Sequence, residues 1–400
     1  MLKRIIKKIA PSFLLDFYHY FLALTGAFLY GFPSRKLIVI GITGTSGKST
    51  VVELSARILE EAGFKIASLS SIKFKVGEKE WENKLKMTMP GRLKIQKFLS
   101  QAVKAGCEYA VLEVTSEGIK QFRHKFIKFD IAVLTNLSPE HIEAHAGFEK
   151  YRQAKARLFE NTKKIHIVNL DDENAEFFWK IPAEKKIGYR LNDVKILPSN
   201  LNLLGKFNLY NAIAATEISL ALGIPLEVCK SALEKVKGIP GRMEIVIKEP
   251  FTVIVDYAHT PAALEQVYII LNNSKFKIQN SKLICVLGAC GGGRDKWKRP
   301  VMGEIAAQYC DKVIITNEDP YDEEPMEIIN QVAGNTNAKK ILDRKEAIRQ
   351  ALKLAQPEDV LVITGKGSEP WMCVAKGKKI PWDDRQITKE EYEKIRNIRT

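Results

Sequence analysis

The stretch Gly41-Ile42-Thr43-Gly44-Thr45-Ser46-Gly47-Lys48-Ser49-Thr50 gathers residue types that hold phosphate. Glycines let consecutive backbone N–H groups turn toward one anion, and a helix starting near Lys48 adds the partial positive charge of its N-terminus. Lys48 is then suited to the terminal phosphates of a nucleotide, and the Ser49 hydroxyl to a magnesium ion. The strict motif carries glycine five places before Gly47, where this chain has Ile42. The match is therefore to a variant form. Gly44, Thr45, Ser46, Gly47, Lys48, Ser49 and Thr50 are the candidates for phosphate binding.

Such a loop works only between a strand and a helix. Leu37–Gly44 (LIVIGITG) is an apolar run that ends in glycines, and Ser49–Ala62 shows a helical stripe at Val52, Ala56 and Leu59 closed by Gly63. Tyr109–Val114 and Ile131–Leu137 are unbroken apolar runs, as expected of parallel strands buried on both faces. Phe207–Leu222 reads as a helix. Lys237–Arg242 holds two glycines and a proline and reads as a hinge. Beyond it, Val253–Val255, Leu283–Leu287, Val313–Thr316 and Val360–Thr364 read as strands with helices between. The predicted fold class is α/β: a P-loop central domain with a mostly parallel sheet over 37–240, and a Rossmann-like α/β domain over 241–400.

At 400 residues, 46% apolar and 27% charged, the chain is long enough for two or three cored domains and is neither disordered nor a disulfide scaffold. Its net charge of +15 points to an anionic partner: phosphorylated substrate, nucleic acid or anionic membrane. Cys107, Cys229, Cys285, Cys290, Cys310 and Cys373 include no CxxC pair and read as thiols of a reducing cytosol. Residues 1–36 differ from the rest. Lys3, Arg4, Lys7 and Lys8 precede an aromatic, apolar run from Phe13 to Phe32, broken by Asp16, His19 and Thr25. No small-residue cleavage site follows it. Three placements stay open: a helix packed on the globular body, a helix lying in a membrane surface through residues 1–32, or a span, which Asp16 and His19 disfavour.

Taken together, the sequence resembles the Mur ligase superfamily, the ATP-dependent amide ligases of peptidoglycan precursor synthesis, over roughly residues 36–390. The branch it most resembles is MurE, which adds the third amino acid to a UDP-N-acetylmuramoyl dipeptide. The resemblance implies ATP and Mg²⁺ as cofactors. It implies Glu113 in LEVTSEG and His141 in TNLSPEHIEAH as magnesium ligands beside Ser49, with Asn136 in the same segment and Glu140 where the family has aspartate. Lys155 in YRQAKARLF matches the lysine that the family carbamylates into a further metal ligand. Lys206, Asn208 and Asn211 in GKFNLYN match an element that contacts the nucleotide base. Arg242 in PGRME matches an arginine that reaches the phosphates, so Lys48, Glu113, His141, Lys155 and Arg242 form the implied catalytic set. Asp256 and His259 in VDYAHTPAAL match a further nucleotide element, and Arg294, Asp295, Lys296 and Arg299 match a basic stretch near phosphate. Thr88, Thr115, Ser116 and Arg123 are implied acceptor contacts, while Asp319, Gly365 and Glu369 are implied contacts to the incoming amino acid. The implied chemistry is an acyl phosphate made from ATP and attacked by an amine, with the C-terminal domain swinging about Gly238–Gly241. A monomer in the cytoplasm, possessing no nucleic-acid partner and working at the inner face of the membrane, is the corresponding expectation.

Four departures from the family pattern set further expectations. The usual N-terminal UDP-binding domain finds no room here, which suggests a lipid-linked acceptor instead of a free UDP-sugar peptide. The amino-acid motif reads Glu318-Asp319-Pro320-Tyr321, without the arginine of the diaminopimelate type, so Asp319 and Glu369 are expected to favour a cationic side chain such as lysine. Thr88-Met89-Pro90 matches a substrate-loop motif only in part, and Ser368 in GKGSE stands where the family has histidine. A folylpolyglutamate-synthase-like ligase and a membrane scaffold with a vestigial ATP site are the competing classes.

Overall fold

The computed structural model describes residues 12–85, 87–140, 142–273 and 280–399. They form two compact units. One comprises residues up to 138 with 148–201 and 207–236, and the other comprises 139–147, 202–206 and 237–400.

The first unit is built on an eight-stranded sheet. Its strands are β1 (Ile38–Thr43), β2 (Ile66–Leu69), β3 (Lys73–Val76), β4 (Lys79–Glu82), β5 (Tyr109–Glu113), β6 (Ile131–Leu134), β7 (Ile165–Asn169) and β8 (Lys185–Tyr189). The order is β4-β3-β2-β5-β1-β6-β7-β8. Six strands run parallel, and β3 and β4 are added antiparallel at one edge. The apolar runs of the sequence are the central strands: Val39, Ile40, Ile42, Val111, Leu112, Ile131 and Val133 have no exposed surface. Burying each such side chain contributes about 1.5–3 kcal/mol. The register is what matters for chemistry. Ile42 lies beside Glu113 on one side and Val133 on the other, so the last residue of β5 stands next to the start of the glycine loop.

Residues Ser12–Leu29 form a helix within this unit. It packs on the helix Arg92–Lys104 through its small residues Ala23, Gly26 and Ala27, all buried. A Cβ on Gly26 would lie 3.2 Å from the Leu93 Cα, which shows how closely the backbones approach. Tyr20 adds edge contacts to Phe122 and Phe126, with ring centroids 6.3 and 5.1 Å away. Among the described residues no helix is long and apolar enough to cross a membrane.

The second unit carries β9 (Glu244–Ile247), β10 (Thr252–Val255), β11 (Leu283–Leu287), β12 (Lys312–Thr316), β13 (Lys339–Ile341), β14 (Val360–Ile363) and a small ribbon of β15 (Trp371–Cys373) and β16 (Lys379–Pro381). The main sheet has the order β13-β12-β11-β14-β10-β9, parallel except for β9 on the edge. Residues 139–147 are held here by Asp295, whose two carboxylate oxygens accept from the Ile142 and Glu143 N–H groups at 3.0 Å each. Glu140 pairs with Lys298 at 2.9 Å, with both side chains almost fully buried.

One expectation is corrected in this unit. Cys285 on β11 and Cys310 after the helix Lys298–Tyr309 are joined by a disulfide, with Cα atoms 6.2 Å apart, so not all six cysteines are thiols. Their 25-residue separation gave no motif, and the pairing arises because the helix returns the chain to the start of β12 beside β11. Among the described residues Cys107, Cys229, Cys290 and Cys373 take part in no disulfide.

Candidate active site

Gly44 and Gly47 shape the loop between β1 and the helix Lys48–Glu61, with φ of 153° and 81°. Neither tolerates a side chain. A Cβ on Gly44 would fall 1.9 Å from Thr135 Oγ1, and one on Gly47 would fall 2.2 Å from Asn211 Oδ1. The loop is fixed from β6: the Thr45 N–H donates to the Asn136 carbonyl at 2.9 Å, and the Ser46 N–H to Asn136 Oδ1 at 2.9 Å. The Thr135 hydroxyl donates to the Ser46 carbonyl at 2.7 Å.

Glu113 meets this loop as the register dictates. The Ser49 hydroxyl donates to Glu113 Oε2 at 2.6 Å, and the Ser71 N–H to the same oxygen at 2.9 Å. The Ser49 and Ser71 hydroxyls are 2.7 Å apart. Lys48 donates to the Thr45 carbonyl at 2.8 Å and lies 4.0 Å from Glu113. Lys155 is buried on the helix Phe148–Glu160, donates to the Gly44 carbonyl at 2.6 Å and sits over the Tyr151 ring. Tyr151 in turn is 3.0 Å from the Thr45 hydroxyl. Asn208 and Asn211 share one face of the helix Lys206–Ala221, joined by a 3.1 Å hydrogen bond, with Asn211 against Gly47. The structure thus brings Thr45, Ser46, Lys48, Ser49, Glu113, Lys155 and Asn211 to one loop. Thr50 is buried in the first turn of the following helix. His141 lies outside the described residues. Among those described, no three His, Cys, Asp or Glu gather as a metal site. The oxygen pair of Ser49 and Glu113 nonetheless has the chemistry magnesium selects, a hydroxyl and a carboxylate beside a phosphate loop.

The implied acceptor residues form a second cluster in the same unit. Arg123 is buried and holds the loop 87–89, donating to the Met89 carbonyl and, at 2.7 Å each, to Met87 Sδ and Gln121 Oε1. Burial, with Arg92 nearby, pulls its guanidinium pKa down to about 10. Thr115 caps the short helix Ser116–Lys120 by accepting from the Gly118 N–H at 3.1 Å. Thr88 lies in the loop that Arg123 secures, and Ser116 is buried at the start of the capped helix.

In the second unit the implied residues sit at the carboxyl ends of parallel strands, the usual place for ligands in such sheets. Asp256, after β10, accepts from the Met243 and Ala258 N–H groups at 2.7 Å each. Burial raises its carboxyl pKa against the opposing pull of Arg242. Arg242 stacks over Tyr257 at 4.2 Å. The Tyr257 hydroxyl donates to Glu369 at 2.9 Å. Burial, with Lys298 nearby, keeps the His259 imidazole well below its usual pKa and therefore neutral. Lys366 is buried between two carboxylates, donating to Asp319 at 2.9 Å and Glu369 at 2.6 Å. Gly365, with φ of 108°, would place a Cβ 2.2 Å from Glu318 Oε2. Beneath them Arg344, fully buried, binds Asp384 through two nitrogens at 2.9 and 2.7 Å. It also donates to the carbonyls of Asn317 and Thr364, which fixes the ends of β12 and β14.

Sequence reasoning did not single out Ser71, Thr135, Tyr151, Tyr257, Lys298, Arg344 or Lys366 for these contacts. Thr135, Tyr151, Tyr257 and Lys366 lay inside or beside quoted motifs, whereas Ser71 and Arg344 carried no motif signal. The expected basic stretch is partly structural: Arg299 is buried and bonded to Gln331, Glu323 and the Cys290 carbonyl, and Asp295 caps residues 142–143.

Two family models match the chain, the Mur ligase middle domain over residues 42–195 and the Mur ligase glutamate ligase domain over 241–367. A UDP-N-acetylmuramoyl-L-alanyl-D-glutamate–2,6-diaminopimelate ligase from Syntrophomonas wolfei is 39% identical across 92% of this chain and 81% of the relative. A solved structure of a ligase of that same name superposes with a TM-score of 0.57 at 31% identity, covering 90% of this chain and 79% of the other. A Mycobacterium tuberculosis folylpolyglutamate synthase complexed with ADP and AMPPCP has a TM-score of 0.69, covering 86% and 92%, at 17% identity, a likeness of fold.

Proposed function

Because the chain belongs to the Mur ligase family, we propose that it is an ATP-dependent, ADP-forming ligase that joins an amino acid to a peptide carboxylate of a peptidoglycan precursor in the cytoplasm. The observation that carries the reading is the convergence of Lys48, Ser49 and Glu113 on the glycine loop, with Lys155 behind it.

In this reading the acceptor carboxylate attacks the γ-phosphorus of ATP, the bond to the bridging oxygen breaks, and ADP leaves. The amine then attacks the acyl carbon, inorganic phosphate departs, and the amine proton goes to solvent. No side-chain nucleophile is needed. Positioning and charge neutralisation supply the rate. The loop N–H groups and Lys48 hold the β- and γ-phosphates. Ser49, Glu113, His141 and Lys155 as a carbamate would hold Mg²⁺, which supplies charge neutralisation on the phosphates. Asn208 and Asn211 address the adenine, since an amide both donates and accepts. The resemblance assigns Arg242 to the phosphates, and Asp256 accepts from the neighbouring Met243 N–H. Arg123, Thr88, Thr115 and Ser116 shape the acceptor site.

Glu369 is the group that receives the amine of the amino acid. Asp319, Glu369 and Lys366 together leave one negative charge, which suits a cation. This refines the expectation of an open acidic pair, since Lys366 already stands between the two carboxylates. A lipid-linked acceptor is a second reading. It is favoured by an apolar helix packed on Arg92–Lys104, the helix that follows directly on the loop containing Thr88.

The test is ADP release with ATP and Mg²⁺ against a panel of amino acids, crossed with UDP-linked and lipid-linked muramyl dipeptides, with product mass read by spectrometry. ADP formed together with a product heavier by one amino-acid residue is the expected result. ATP hydrolysis that yields no amide with either acceptor would refute the ligase reading.

A further inference from the structure

The helix Ser12–Leu29 turns its large apolar residues away from the protein. Phe13, Phe17, Phe21, Leu24 and Phe28 are 67, 68, 57, 36 and 75% exposed, and Leu14, Tyr18 and Leu29 are about half or more exposed beside them. At 100° per residue these side chains cover an arc of roughly half the helix circumference. The opposite arc holds Ala23, Gly26 and Ala27, the residues that meet the unit. An ordinary surface helix has the reverse arrangement, apolar inward and polar outward. A contiguous apolar face of this size on a folded chain marks a binding surface.

Three observations select its occupant. Asp16 is the sole charged residue among 12–29, so the face offers no salt-bridge pattern to a protein partner. Exposed basic residues lie near it: Arg35 and Lys36 follow the helix, and Lys94 and Lys97 lie on the packed helix one position past Leu93 and Gln96, which touch Gly26. Lys3, Arg4, Lys7 and Lys8 precede it in the sequence. Finally, the helix is too short and polar to span, while phenylalanines flanked by Tyr18 and Tyr20 are the composition of an interfacial helix. We propose that this face is a docking surface for an anionic lipid bilayer, with the helix lying in the plane of the headgroups. This goes beyond the ligase reading and stands if that reading fails.

The experiment uses the full chain and sonicated vesicles of phosphatidylcholine alone or mixed with phosphatidylglycerol, read by cosedimentation. The variant is F17S/F21S/F28S, whose three side chains are exposed, with thermal melting as the folding control. The expected result is binding to the anionic vesicles that falls at least tenfold on neutral ones, since each basic group near the surface contributes about fivefold. The triple variant should bind at least about 1,000-fold more weakly with an unchanged melting curve, since each buried aromatic side chain contributes about tenfold or more. Equal partitioning of wild type and variant overturns the proposal. So does a lipid-independent dimer, seen by sedimentation equilibrium, that the variant abolishes, because the face would then belong to a second copy of the chain.

Discussion

Replacing Lys366 by methionine tests whether the cation between Asp319 and Glu369 is a structural requirement of the proposed amino-acid site. Its ammonium is 1% exposed and Asp319 is 7% exposed, whereas Glu369 at 36% retains contact with solvent. Removing one partner of a buried pair costs about 3–5 kcal/mol, because the other charge is left without compensation. The low end applies, since Asp319 keeps the Cys373 N–H at 2.8 Å. The expected loss is therefore about 3 kcal/mol in the unfolding free energy of the second unit, measured by urea titration near neutral pH with fluorescence from Trp371. The pH dependence has a definite sign. Burial raises the Asp319 pKa above its ordinary 3.8, so the folded state takes up that proton before the unfolded state does as pH falls. The variant lacks the ammonium that opposes this rise, so its deficit should shrink as the pH is lowered toward the ordinary aspartate value and be largest above it. The double variant Lys366→Met/Asp319→Asn, which removes both charges, should recover part of the loss. A K366M deficit below about 1 kcal/mol, or one that the double variant fails to reduce, refutes the argument from burial.

Gly47→Ala should abolish nucleotide binding in a titration with a fluorescent ATP analogue, because the added Cβ meets Asn211 Oδ1 at 2.2 Å and the backbone φ is 81°. Glu113→Gln keeps the hydrogen bond from Ser49 but removes the charge, and amino-acid-dependent ADP release should drop at least 100-fold, roughly what a preorganised electrostatic contact contributes. An activity within threefold of wild type would remove Glu113 from the metal-binding reading. If Lys155 acts as a carbamate, activity should fall in buffer stripped of carbon dioxide and return when bicarbonate is added. Arg344→Leu should lower the stability of the second unit by about 3–5 kcal/mol, since it strands the buried Asp384, and calorimetry of the variant checks this.

Much of the geometry of the proposed phosphate site was legible because it is local. The order strand, glycine loop, helix fixes Gly44 to Ser49 within one turn of chain, whereas Glu113 was singled out by the resemblance of LEVTSEG to the family motif, with the apolar run Tyr109–Val114 placing that motif on a strand. What remained hidden depends on long-range neighbours. Ser71 reaches Glu113 only because β2 lies beside β5, and Arg344 ties β12 to β14 from a helix that shows no motif. The apolar run at the N-terminus announced a helix but not which face would be covered. The spacing of Ala23, Gly26 and Ala27 held that information, since only small residues allow such close helix packing. The disulfide was invisible because two cysteines 25 residues apart look like any other pair until the sheet aligns them.

The hold of Asp295 on residues 139–147 bears on how the chain is made. That segment is translated 153 residues before the carboxylate that secures Ile142. At about 5–20 residues per second the delay is about 8–30 s. Over that interval Glu140 has no Lys298 to meet, and the first unit must assemble around a stretch of backbone still waiting for its partners. A piece beginning at residue 237 would carry Lys298 without its counter-charge Glu140 and Asp295 without the N–H groups it caps. Residues 139–147 are therefore secured only after synthesis has passed Lys298.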